Sequence, residues 1–180
     1  FSLSSLIQKS HSLYQGKLEL SFEELFPKLA EFFKSRVAFE LELKPGTQNY
    51  EILQGVMKSS FDDLADIFER FETLERLSAK QPKVFFKACK VVERTGNILK
   101  GFKESLNSVN SGLFQDPLEK ELFEILEKKE SELRSFTERK DYEGLTRAYG
   151  EIFFEPLHEF FDRVMVNVDN AEVRRNRQAL

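Results

Sequence analysis

Apolar residues recur three and four positions apart along nearly the whole chain, and no stretch alternates apolar and polar positions between hairpin turns. That period predicts an all-α fold of about seven helices. The first runs from about Leu3 to Gln15, with Leu3, Leu6, Ile7, Leu13 and Tyr14 on one face and Gly16 as its stop. Ser21 and Glu24 form a capping box for the second, whose inward face reads Leu25, Phe26, Leu29, Phe32, Phe33 and Val37, and Pro45 with Gly46 ends it. A short helix carrying Ile52, Leu53, Val56 and Met57 follows. Ser60, three residues before Asp63, is expected to cap the next, with Leu64, Ile67, Phe68, Phe71 and Leu74 turned inward.

Pro82 suits the first turn of a helix to about Lys100 that buries Val84, Phe85, Ala88, Val91, Val92 and Leu99, with Gly101 as its end. After a polar stretch from Asn107 to Gly112, Asp116, Pro117 and Glu119 start a helix through about Phe136 whose lysines and glutamates alternate on a solvated face. Another helix opens near Asp141 and must bend or restart at Pro156 before Leu157, Phe160, Phe161, Val164 and Met165. Asp169 with Glu172 is expected to cap a last helix still running at Leu180. No linker is long enough to separate a pair of domains, so residues 1–180 read as one helical bundle.

Composition narrows the function. The formal net charge of -4 argues against a protein that coats nucleic acid non-specifically, so any such contact must be local. Nineteen Phe and no Trp mean that most rings must be packing. No apolar run approaches the roughly 20 residues of a membrane span. The chain opens on Phe1 and its first methionine is Met57, which reads as a piece of a longer protein. A single cysteine, Cys89, fits a reducing compartment and is expected to be a small buried apolar residue. His11 and His158 lack a second ligand at metal spacing, and no phosphate loop or nucleophile turn occurs, so no metal site or catalytic centre is expected.

One helix departs from the chain's overall acidity. Lys83, Lys87, Lys90, Arg94 and Asn97 recur at alternating steps of four and three, which stacks them as one stripe opposite the apolar face, and Lys100 and Lys103 extend it. From Pro82 to Lys103 the net charge is +5. Such a stripe is either a phosphate-tracking surface or an ordinary solvated face. Arg174, Arg175 and Arg177, with Asn176 among them, form a second basic cluster suited to phosphate forks and base stacking.

From Leu157 to Leu180 the chain, LHEFFDRVMVNVDNAEVRRNRQAL, resembles the closing signature of bacterial glycyl-tRNA synthetase beta chains: close to FFD-x-VMV, an acidic pair, then R-x-NR-x-x-L. Phe160, Phe161, Asp162, Val164, Met165, Val166, Asp169, Arg174, Asn176, Arg177 and Leu180 match it in place. The segments FQDPLEKEL, FTERKDYEGL and RTGNIL are similar to family segments too. Glu93 departs from the lysine usual there, and Gly96 loosens the helix by about 1 kcal/mol against alanine.

The resemblance implies a C-terminal DALR-type anticodon-binding domain, in a cytoplasmic glycine–tRNA ligase that activates glycine with ATP and Mg in an alpha subunit or a fused alpha portion. Its partners would be tRNA(Gly) and that alpha portion, and the stretch itself would hold no catalytic centre, cofactor or metal. The cognate anticodon ends in two cytosines, for whose amines Asn97, Asn176, Glu172 and Asp169 are candidate acceptors. The expected nucleic-acid-binding set is Lys83, Lys87, Lys90, Arg94, Asn97, Lys100, Arg174, Arg175, Asn176 and Arg177, on two adjoining helical walls. The competing readings are a helical module that docks the alpha subunit or mediates oligomerisation, and the related anticodon domain of arginyl-tRNA synthetase.

Overall fold

A computed structural model describes residues 2–14, 16–100 and 108–180. Among them the fold is all-α, and the sole strand-like pairing is an isolated antiparallel bridge between Ser2 and Asp63. No described helix is long and apolar enough to cross a membrane. The chain groups into two compact units, 1–76 and 77–180, with the division falling inside one helix.

The first unit opens with α1 (Leu3–Leu13), two residues shorter than expected. Ser2 caps it, and Asp62 anchors its first turn, accepting from Ser4 N at 2.7 Å through Oδ1 and from Leu3 N at 2.8 Å through its carbonyl. Hydrogen bonds from Ser4, backbone first, and then from the Ser2 side chain hold the Asp62 carboxyl below its ordinary value. Gly16 takes φ +77°, the left-handed conformation that ends a helix at little steric penalty. The predicted Ser21–Glu24 capping box starts α2 (Phe22–Glu40), which stops five residues before Pro45. Val37 is buried as expected, whereas Phe32 is exposed and Ala30 and Ala38 take inward positions instead.

Helix α3 (Gln48–Ser59) buries Ile52, Leu53, Val56 and Met57. Its C-terminus is held by Arg70 from α4 (Leu64–Lys80), which donates to Ser59 Oγ at 2.6 Å and pairs with Asp66 at 2.9 Å. A cation there complements the helix dipole. Ser60 does not cap α4: it closes α3, and Asp63 Oδ1 caps α4 by accepting from Ala65 N at 3.2 Å.

The second unit is built on α5 (Pro82–Ile98), α6 (Pro117–Glu138), α7 (Tyr142–Ala148), α8 (Phe154–Arg163) and α9 (Ala171–Ala179). Its core joins Val91, Leu122, Phe153, Leu157, Phe160, Val164 and Val166. The predicted Asp116–Glu119 capping box and Pro117 open α6. Its ion pairs, such as Lys129–Glu132 at 2.7 Å and Arg134–Glu130 at 2.9 Å, lie on the solvated face.

The bend demanded by Pro156 is taken up by a π-helical turn, Tyr149–Phe153, just before it. There Gly150 packs directly on α5: a Cβ at that position would lie 2.5 Å from Val84 O. Three residues expected inside, Val92, Met165 and Cys89, are exposed. For Met165 the reason is that α8 ends at Arg163 and Val164 is extended, so the side chains from there no longer follow a helical face. Asn170, not Asp169, caps α9, accepting from Glu172 N at 3.0 Å and Val173 N at 3.2 Å. The expected stop at Gly101, the stripe residue Lys103 and Gln15 lie outside the described residues.

Candidate nucleic-acid interface

Ala88 and Val91 turn α5 toward the core, and the helical period then sets its cations on one flank. That flank is not wholly opposite the apolar face. Lys87 and Arg94 lean on α8: Lys87 Nζ lies 2.9 Å from Glu155 Oε1 and 4.7 Å from the Phe154 ring centroid. Arg94 Nη2 lies 2.7 Å from Asp162 Oδ1, with its guanidinium 5.3 Å from the Phe161 centroid. Both partners step by seven residues together, so α5 and α8 run side by side in the same sense along this seam. The hydrogen bond from Arg94 is the main reason the Asp162 carboxyl sits below its ordinary value.

The rest of the stripe faces water. Lys83 and Lys100 are exposed and, among the described residues, make no ion pair; Asn97 beside them is exposed. Lys90 pairs with Glu93 on its own helix, at 2.6 Å. A solvated pair of that kind contributes little and exchanges readily for a phosphate. Arg94 and Asn97 also line a shallow groove whose other wall is the segment from Phe161 to Asn167.

The second basic cluster divides. Arg175 is exposed, near Glu172 and Ser111. Arg174 is half-buried and donates to Val168 O at 3.0 Å. Asn176, 6% exposed, makes a two-way clasp on Asn110, accepting from its N–H at 2.7 Å and donating to its carbonyl at 3.0 Å. Arg177, 8% exposed, donates to Glu119 Oε1 at 2.9 Å and to Met165 O at 2.9 Å, while Glu119 is 0% exposed. Burial pushes the Glu119 carboxyl up, but Arg177 and the amides of Gln115 and Asp116 outweigh it, so the carboxyl sits below its ordinary value.

Asn176 and Arg177 fasten α9 to the loop before α6, to α6 itself and to the segment after α8. None of the four α9 residues lines the groove beside Arg94. Sequence reasoning also passed over the doublets Phe154–Glu155 and Phe161–Asp162, whose spacing of seven was the available signal. The histidines take part in packing contacts: His11 Nε2 donates to Leu20 O at 2.9 Å, and His158 stacks on Phe154 at 4.5 Å.

Over 99% of its length the chain is 32% identical to the glycine–tRNA ligase beta subunit of Trichlorobacter lovleyi. The match to glycine–tRNA ligase beta subunits runs over nearly the whole chain. The beta subunit of Syntrophus aciditrophicus is 27% identical over 99% of the chain, and that of Dichelobacter nodosus 33% over 72%. The chain spans about a quarter of the length of the first two relatives, 25% in each case, and 18% of the third. No family model matches it, and no solved structure does so significantly. Several residues that carry the beta-subunit resemblance build the fold here: Phe160 and Val166 are in the core, Asp162 holds Arg94, and Arg177 holds Glu119.

Proposed function

We propose that this region of the beta subunit binds the anticodon arm of tRNA(Gly), and so positions the tRNA for ATP-dependent aminoacylation at a cytoplasmic catalytic site carried outside it, in the alpha subunit or a fused alpha portion. The observation that supports this best is the cationic flank of α5. In a chain of net charge -4, Lys83 and the half-exposed Lys90 on α5, and Lys100 in the turn just after it, face water with Asn97 beside them. A local positive surface on an acidic protein favours a polyanion held in one place over general coating.

The interacting set narrows on this reading to Lys83, Lys87, Lys90, Arg94, Asn97 and Lys100, with Arg175 as an outlying contact. Phosphates are drawn by the exposed lysines, and Arg94 with Asn97 offers planar donors and an acceptor at the mouth of the groove. Nuclease footprinting of tRNA(Gly) with the chain tests the placement. Protection of the anticodon arm is expected; protection confined to the acceptor stem contradicts it.

A further inference from the structure

We infer that the exposed ring of Phe86 is a stacking surface for an unpaired nucleobase of an RNA loop, a role that rests on the RNA-binding reading above and adds to it a base contact that charge alone does not supply. Phe86 is 57% exposed, on the water-facing side of α5. Lys83 lies three residues before it and Lys90 four after, the spacings that make neighbours on a helix surface. The ring is thus bracketed along the helix by two cations. Lys90 Nζ sits 5.7 Å from the ring centroid, and Lys83 makes no ion pair among the described residues.

A bare phenyl group in water gains by being covered, and every nucleobase presents a face that covers it. Lysines on either side supply phosphate contacts to the nucleotides that flank a stacked base. Glu93, the one carboxylate of α5, is already engaged by Lys90 at 2.6 Å, which lowers its repulsion of an incoming backbone. A purely apolar partner would leave the two lysines beside the ring without a counterpart, so charge complementarity favours nucleic acid over a protein face.

The chain contains no tryptophan, so Phe86→Trp places a single indole at the proposed contact. The probe is an RNA hairpin carrying the anticodon loop of tRNA(Gly), added to the 180-residue chain after circular dichroism shows that each variant melts like the parent. Expected are quenching of the indole emission on binding, parent-like affinity for Phe86→Tyr, and about tenfold weaker binding for Phe86→Leu with an unchanged salt dependence. Binding with unaltered emission, or full affinity in Phe86→Leu, overturns the stacking role while leaving RNA binding in place; an apolar docking face gives that leucine result. No binding by the unsubstituted chain overturns both.

Discussion

Arg94 reaches Asp162 at 2.7 Å while its guanidinium lies 5.3 Å from the ring of Phe161, so a ring and a carboxylate adjacent on α8 together hold one cation of α5. Seven residues earlier Phe154 and Glu155 do the same for Lys87. The repeated arrangement fixes the rotation of α5 against α8 and, among the described residues, separates the stripe into two cations tied to the fold and three that face water.

Asp162→Asn keeps an acceptor beside Arg94 and removes the opposing charge. RNA binding by this variant is expected to be tighter at low salt, with a steeper fall as salt rises. Fluorescence anisotropy across a salt series measures both; weaker binding at low salt means that Asp162 serves chiefly to orient Arg94.

Replacing Lys83, Lys90 or Lys100 singly by Gln should weaken RNA binding uniformly across sequences and reduce the logarithmic salt slope by about one for each phosphate no longer neutralised. Gln at Lys128, on the solvated face of α6, is the control and should leave the slope unchanged. Slopes that do not move in any of the three mark the stripe as an ordinary solvated face.

The Glu119–Arg177 pair is a stability element. Arg177→Ala, or Glu119→Gln, leaves its partner's charge buried and should lower unfolding free energy by about 3–5 kcal/mol, measured by urea denaturation. Replacing the pair with Leu and Met should restore much of that loss. Because the folded Glu119 value is depressed, its contribution is complete above the ordinary glutamate value of about 4.3 and is lost as pH falls through the lower folded value. The Glu119→Gln variant should lose that share of the acid sensitivity; an unchanged acid limb would place it elsewhere.

Gly150→Ala puts a methyl 2.5 Å from the Val84 carbonyl, a backbone atom that cannot turn aside. Overpacking of that kind is expected to destabilise the chain by about 1–3 kcal/mol, and thermal melting reads it directly. An unaffected melting temperature shows that α5 and the π-turn can separate without loss.

Helix identity was legible in the sequence because capping boxes and prolines act locally: Ser21 with Glu24, and Asp116 with Pro117 and Glu119, work as their spacing says. Faces were less legible. Phe32 and Val92 fit an apolar period yet stand in water, because the neighbours that decide burial come from elsewhere in the chain. Local signals also misled where two residues could serve: Asp63 caps α4 in place of Ser60, and Asn170 caps α9 in place of Asp169. The candidate site divides the same way. The cationic period of α5 is written in its own residues, but the tie of Arg177 to Glu119 spans 58 positions and has no local trace.

The most direct test of anticodon recognition is the affinity of this chain for tRNA(Gly) and for a transcript with both anticodon cytosines replaced, each across a salt series. The account predicts a preference for the intact anticodon of about 1–3 kcal/mol per base read, persisting as salt rises while both affinities fall. Equal affinities at every salt concentration would contradict anticodon reading, leaving a surface that follows phosphates alone.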